Sequence, residues 1–498
     1  MRRRLIIVLK GNRAVVWFNE ATKNDIPLVG GKGANLGEMT SANIPVPPGF
    51  IVTAKAYYDF LQGQNITDKI SALLKPLDPN NSKQLQQIST EVKNLILSAT
   101  IPPDIAREIR QAYIKLGRGL VAVRSSATAE DLPQASFAGQ QSSFLNVQGE
   151  DEVVAAVQKC WASLFEPRAI YYRQQQGFSH LKVGIAVPVQ RMIAAQTSGV
   201  LFTVEPVTSD TGKIIIEAIY GLGEGLVSGE VTPDLYIIDK AGMTILSKRI
   251  SRQQQQLAKN PATGEKNSNA WLPLPPQTQN QQKLSDNDII QLAKLGKQIE
   301  DHYQFPQDIE WARENNKIHI VQTRPVTTVK ETVKVEPEIT APVLLSGVAA
   351  SPGLASGPVK IIYEASQIDQ VHDGDILVAE MTTPDFVPAM KRAVAIVTNR
   401  GGKTSHATIV SRELGIPCIV GAEQATTSLT DGQIITVDGS HGKVYSGKVS
   451  RNIATTFVTN ILREAIKTRT KVYVNLAQPE LADQIAVRNV DGVGLLRA

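Results

Sequence analysis

Cysteine is nearly absent: 498 residues hold two, Cys160 and Cys418. That pair cannot make a disulfide framework, and a reducing compartment suits the chain. Long apolar runs are absent too. The basic start MRRRLIIVLKG carries only the short run from Leu5 to Leu9, too short for a secretory signal core or a membrane helix. No later stretch is long enough, so the expected location is the cytoplasm, with no membrane partner. Nor does either charge dominate. The 52 basic and 47 acidic residues leave a net charge of +5, which gives no case for nucleic acid or an anionic surface. What remains is ordinary soluble composition, 42% hydrophobic and 20% charged, in a chain long enough for roughly two to four domains with proper cores.

The chain divides by pattern. Residues 1–328 mix helical periods with β-branched runs bounded by turn residues: VAV at 121–123, GVLFTV at 199–204 and KIIIEA at 213–218. A Gln/Asn-rich stretch from Arg252 to about Gln282 reads as a long surface loop. Residues 329–343, beginning VKETVKVEPEIT, read as a charged, proline-punctuated linker. Residues 344–448 form a second unit of α/β type, with strands DILVAE, AVAIVTN, QIITVDG and GKVYSG. Residues 449–470 read as a helical connector. The tail, 471–498, gives strand KVYVNL, helix PELADQIAVRN and strand GVGLLR, one βαβ unit. A lone βαβ unit cannot bury both faces of its strands, so the sequence reads as a truncated polypeptide in which a further domain has only begun.

Four segments of the first unit carry candidate chemistry. VGGKGANLGEM, residues 29–39, sets Lys32 among four glycines; glycine admits close approach of a phosphate and lysine supplies a point charge, although a glycine-rich turn with a solvated lysine fits as well. VAVRSSATAEDLPQASFAGQ, residues 121–140, delivers Arg124 from a strand end into hydroxyls, where a bidentate phosphate contact or a structural ion pair are both open. IIIEAIYGLGEGLVSGEVTPD, residues 214–234, runs a strand containing Glu217 into a glycine loop, either a phosphate or lid loop or a plain turn. PQDIEWARENNKIHIVQTRPV, residues 306–326, reads as a hairpin around Asn315, Asn316 and Lys317. With a three-residue loop, Glu310 faces Gln322 and Asp308 faces Arg324, so these four share one patch while Ile309, Trp311 and Val321 point the other way. A carboxylate beside an amide oxygen suits Mg²⁺ with substrate phosphates, and Arg324 suits a transferring phosphoryl group; a surface ion-pair hairpin is the plain alternative.

In the second unit, NRGGKTSHATIVSRELG places His406 at the start of a helix with apolar spacing Ala407, Val410, Leu414 and the stop signals Gly415 and Pro417. Thr404 and Ser405 are candidate N-caps. A helix N-terminus disfavours imidazolium and welcomes an anion, so a phosphate carried on His406 would meet backbone donors and Lys403. Gly401 and Gly402 would leave room for a bulky donor. Asp385, in the TTPDF turn, is a candidate for orienting the loop or a turn residue only, and Cys418 reads as core.

LVGGKGANLGEM, VAVRSSATAEDLPQASFAGQ, GVLFTVEPVT, GLGEGLVSGEVTPD and QDIEWA with IVQTRP, in that order, together with GGKTSHATIVSRELGIPCIVG, resemble the phosphoenolpyruvate synthase and pyruvate phosphate dikinase family. The resemblance implies a multidomain α/β and α+β fold: an ATP-grasp-like nucleotide domain, a swivelling phosphohistidine domain and the opening of a (β/α)₈ barrel. It implies ATP phosphates on Lys32 and Arg124, Mg²⁺ on Glu310 and Gln322, assistance to transfer from Arg324, ATP contacts from Gln190, Met192 and Glu217, with adenine at the hinge VPVQRMI, and a covalent phosphohistidine at His406. The implied reaction of the complete enzyme turns ATP, pyruvate and water into AMP, phosphoenolpyruvate and phosphate. This chain is expected to carry its ATP half, and a homodimer would form through the missing barrel. A dikinase using phosphate instead of water, a rifampin-type antibiotic phosphotransferase and a non-catalytic ATP-binding or phosphocarrier fragment are the alternatives.

Overall fold

The computed structural model describes residues 13–63, 65–77, 81–128, 131–132, 135–136, 143–175, 179–260, 269–326, 341–449, 471, 473–476 and 492–496. The chain separates into two compact units, residues 1–449 and 450–498. Most of DLPQASFAGQ, the linker at 329–340, the connector from 450 to 470 and the tail helix lie outside the described residues.

Two antiparallel sheets build the front of the first unit. One orders the strands Val15–Trp17, Gly49–Val52, Ile185–Arg191, Val121–Arg124 and Ser143–Val147, with Ser126–Ala127 also paired to Ile185–Arg191. The other orders Thr244–Arg249, Asp234–Asp239, Lys213–Tyr220, Thr197–Phe202, Gln307–Glu314 and Lys317–Pro325. Alternate residues of the second sheet (Leu201, Ile214, Ile216, Ile309, Trp311) pack with the helix Asp286–Tyr303 and the glycine-rich helix Ile26–Ser41 in one core. Period-two alternation then fixes what faces the other way: Val200, Glu217, Asp308 and Glu310. The Gln/Asn-rich stretch is not a plain loop. Gln255–Lys259 pairs antiparallel with Asn269–Pro273, and Gln253, 2% exposed, ties it to the backbone of Tyr220 in both directions.

The second half, starting at Val343 and so inside the expected linker, is an eight-stranded mixed sheet. Its centre is parallel: Leu354–Ile362, Ile376–Ala379, Ala395–Thr398 and Cys418–Val420. The runs ILVA and AIVT are buried throughout, as parallel strands covered on both faces require. Cys418 is core, fully buried, with its thiol pushed up to about 12 by burial. In the small unit, Tyr473–Leu476 and Gly492–Leu496 pair in parallel, the pairing a βαβ crossover gives. Among the described residues, no helix is long and apolar enough to cross a membrane.

Candidate active site

The hairpin brings its four polar residues together, although not by the expected loop. The turn is the two residues Asn315 and Asn316, both with positive φ (48° and 61°), as a type I′ turn demands. The register of the turn end, Glu314 with Lys317 through Trp311 with Ile320, then slips by one residue. A bulge at Val321 restores Glu310 opposite Gln322 and Asp308 opposite Arg324. Ile320, not Val321, consequently joins Ile309 and Trp311 in the core.

Pairing across the sheet extends this patch. Glu310 and Glu217 both pair with Val200, on opposite sides of it, and paired residues share a face. Glu217, Val200, Glu310 and Gln322 thus form one row; Ile215, Phe202, Asp308 and Arg324 form the next. Glu217 lies two strands from Glu310, about 10 Å at the usual strand spacing.

At the Glu310 end the groups interlock. Arg124 Nη2 donates to Glu310 Oε2 at 3.1 Å, and Gln322 Nε2 donates to Glu310 Oε1 at 3.3 Å. Arg324 Nε donates to Asp308 Oδ2 at 2.8 Å. Burial pushes the Asp308 carboxyl up, and Arg324 draws it partly back. Gln322 Oε1 is buried without a hydrogen-bond partner. An orphaned amide oxygen beside a carboxylate is the donor set a hard divalent cation takes, so Glu310 and Gln322 fit the expected Mg²⁺.

Lys32 lies on a helix rather than in an open loop. Its segment is a helix kinked at Gly30 (φ 68°, ψ 172°), where a Cβ would lie 2.2 Å from Ser126 Oγ. The glycine serves approach to the protein's own strand. Ser126 Oγ accepts from the amides of Lys32 (3.1 Å) and Gly33 (3.4 Å), capping the restarted helix, while Lys32 Nζ donates to Ser125 O at 3.1 Å. Lys32 and Arg124 are therefore neighbours through the strand Val121–Arg124 and the two serines that follow it. Gln190 is buried in mid-sheet between Gly49 and Ala122, its amide directed to Pro47 O at 3.4 Å. The backbone N–H of Met192 donates to Leu120 O at 2.9 Å, so this hinge amide is engaged within the fold.

Glu217 belongs to a different contact. It is fully buried, and it accepts from the Lys403 amide at 2.6 Å and from Thr404 Oγ1 at 3.4 Å. Burial raises its carboxyl, against the pull of that amide and the Lys403 charge. Gly402 makes the approach feasible: a Cβ there would fall 2.6 Å from Glu217 Oε1 and 2.9 Å from Pro233 Cγ. The room left by this glycine is thus filled by the front half of the chain. The glycine loop 221–234 likewise packs against the histidine unit. Its Gly229, Thr232 and Pro233 meet Ser405, Gly421 and Gly402, and Arg249 Nη2 donates to Gly421 O at 3.1 Å.

The histidine helix runs His406–Leu414, with Ser405 as N-cap and Gly415 closing it in the left-handed region (φ 70°). Ser405 Oγ bonds Gly402 O and Thr408 Oγ1, and makes no cap bond to the helix amides. His406 Nδ1 is 2.9 Å from Thr382 Oγ1. Thr382 is buried in the turn that also holds Asp385, whereas Asp385 is exposed. The residue of that turn seen in contact with the ring is the threonine.

Residues 26–342 match the family described as pyruvate phosphate dikinase, AMP/ATP-binding domain, and residues 371–442 match the PEP-utilising enzyme, mobile domain. The chain belongs to the pyruvate phosphate dikinase family. A phosphoenolpyruvate synthase of Pyrococcus furiosus is 46% identical over 98% of this chain and 66% of its own length. A probable phosphoenolpyruvate synthase of Archaeoglobus fulgidus is 51% identical over 97% of this chain and 64% of its own. For the phosphoenolpyruvate synthase of Aquifex aeolicus the figures are 42%, 98% and 61%. The chain therefore spans a little under two-thirds of these relatives.

Three residues of this dikinase-family site escaped sequence reasoning. Thr382 is one. Glu205 contacts the Lys403 ammonium and accepts from the amides of Val207 and Thr208; burial would raise its carboxyl, but Lys403 and Thr208 hold it below the ordinary range. Arg412, on the histidine helix, donates through Nε to Ala350 O at 2.7 Å. Burial lowers its guanidinium, and the charges of Glu205 and Glu217 oppose that. A local signal existed only for Glu205, whose spacing to Thr208 marks a carboxylate-capped turn.

Proposed function

We propose that this chain catalyses ATP-driven phosphorylation of His406, the first half of a pyruvate, water dikinase reaction. One observation carries the reading: the histidine loop is seated on Glu217, on the same sheet face as the Arg124–Glu310–Gln322 cluster and two strands from it. Phosphates held at that cluster and a nucleophile held at that loop would be separated by about the span of a polyphosphate. The match to an AMP/ATP-binding domain supports ATP as the donor.

Lys32 and Arg124 supply charge to the phosphates, and Arg124 must exchange Glu310 for them, which its single bond at 3.1 Å permits. Glu310 and Gln322 would hold Mg²⁺, which supplies neutralisation of phosphate charge when bound. In the tautomer that carries its proton on Nδ1, His406 donates to Thr382 Oγ1 and keeps the lone pair on Nε2; the reaction uses that tautomer. Nε2 attacks the β-phosphorus; the N–P bond forms as the bond to the α-phosphate oxygen breaks, and AMP leaves with that electron pair. Water then attacks the γ-phosphorus, releasing phosphate and leaving phosphohistidine. In the second half-reaction pyruvate would take the phosphoryl group as phosphoenolpyruvate, and the histidine unit would swivel between an ATP-grasp-like domain and a barrel.

ATP labelled at the β-phosphorus tests this. The label should appear on His406 as an acid-labile adduct, with one AMP released per adduct. Release of ADP, or labelling that persists in His406→Ala, would refute it.

A further inference from the structure

Two cations of the histidine segment enter an acidic hollow of the front half. Lys403 is 4% exposed; its ammonium contacts Glu205 and its amide donates to Glu217 at 2.6 Å. Arg412 lies among Glu205, Glu217 and Asp308, and its Nη2 is buried without a hydrogen-bond partner. With Arg324, which pairs with Asp308, three cations meet three carboxylates, and of the two from the histidine segment Lys403 is the one that closes a direct ion pair.

A phosphoryl group on His406 changes this balance. It brings about −1.5 to −2 charge at neutral pH and three strong acceptor oxygens, three residues from Lys403. His406 is half-buried, so screening there is weaker than in open water, and its phosphoryl group competes with Glu205 for the Lys403 ammonium. Either Lys403 stays with Glu205 and the phosphoryl group faces the carboxylates, or it moves and leaves Glu205 as a buried unpaired anion. Both arrangements disfavour the seated loop.

We propose that Lys403 with Glu205 is a charge-read latch, which seats the unphosphorylated histidine loop in the hollow and opens when His406 is phosphorylated. Departure from the ATP side is thereby tied to loading, and an unloaded loop returns. The inference rests on the phosphocarrier reading above and adds the cause of release.

Hydrogen exchange read by mass spectrometry on the whole chain tests it, followed in residues 229–234 and 401–408. Occupancy of His406 is measured in the same samples. With Mg²⁺ and ATP, exchange in both segments should rise at least about tenfold, equivalent to about 1.4 kcal/mol, in proportion to phosphohistidine. An ATP analogue with carbon between the α- and β-phosphorus should leave it unchanged. Lys403→Met should give the same rise without nucleotide. So should Glu205→Gln, which keeps an acceptor for Val207 and Thr208. Loaded His406 with both segments still protected overturns the release. No loading overturns the release together with the reading beneath it, and unchanged exchange in Lys403→Met and Glu205→Gln overturns the latch on its own.

Discussion

Replacing Thr382 by valine removes one oxygen and almost no volume, and it isolates what holds His406. The hydroxyl lies 2.9 Å from Nδ1 and the residue is 3% exposed, so water cannot simply replace it. A neutral hydrogen bond of this kind contributes about 1 kcal/mol net, and one to a charged partner about 1.5–3 kcal/mol. As Nε2 bonds phosphorus, positive charge develops on the ring, and the Nδ1–H bond moves from the first class to the second. The loss specific to the transition state is then about 1–1.5 kcal/mol, or close to tenfold in rate. Thr382→Ser keeps the oxygen and loses a buried methyl, at about 0.8 kcal/mol of stability, and should transfer within about threefold of the parent. Single-turnover quench with β-labelled ATP measures both, and a denaturant midpoint separates stability from rate. If valine transfers as fast as threonine, or serine is the slower of the two, Thr382 does not position the ring and Nε2 loses its assignment as nucleophile.

Two further outcomes follow from groups with unusual surroundings. Gln322→Leu removes the buried orphan oxygen; stability should stay level or rise by up to about 1 kcal/mol, while label transfer falls at least about tenfold and needs more Mg²⁺. A loss of stability with unchanged Mg²⁺ dependence would show the amide to be structural. His180 accepts at Nδ1 from Arg173 Nε (3.1 Å) and is held down to about 4 by burial and then by the Arg173 charge. A lowered imidazole is neutral in the fold and takes its proton on unfolding. Its contribution is therefore full above about 6.5 and is lost progressively as pH falls towards 4. From pH 7 to pH 5 the loss is about 2 kcal/mol before solvent screening and about 1 kcal/mol after it. His180→Gln should flatten that acid slope in urea titrations, and an unaltered slope would put the protonation elsewhere.

What could be read from the sequence followed from the range of the interactions. The histidine helix was legible at both ends, because Ser405, the Ala407–Val410–Leu414 spacing and Gly415 act within one or two turns. The strands were legible for the same reason, down to the buried ILVA and AIVT. The glycines of 29–39 and 221–234 left a phosphate loop and a plain turn both open in the sequence, because a glycine records only that something comes close. In this fold Gly30 comes close to Ser126, Gly221 to Leu257 and Gly229 to Ser405, each on another element. Thr382 and Arg412 gave no usable pattern, since each acts on a partner from another element, and the local Glu205–Thr208 spacing says nothing of Lys403.

The hairpin marks where this limit falls. Counting across a three-residue loop pairs Glu310 with Gln322, and so does the structure, through a two-residue turn plus one bulged residue. The two routes agree below the bulge and differ above it, where Trp311 takes Ile320 as its partner. Core packing selects between them. The three-residue count would have sent Val321 to the face of Ile309 and Trp311, whereas the bulge brings Ile318 and Ile320 there, both buried. The added residue also lets the strand change its alternation between the core and the site, because Gln322 and Arg324 must face the carboxylates while Ile320 faces inward. A bulge at the edge of a site re-aims side chains. At Val321 it separates the part of the hairpin that holds the fold from the part that would hold the phosphates.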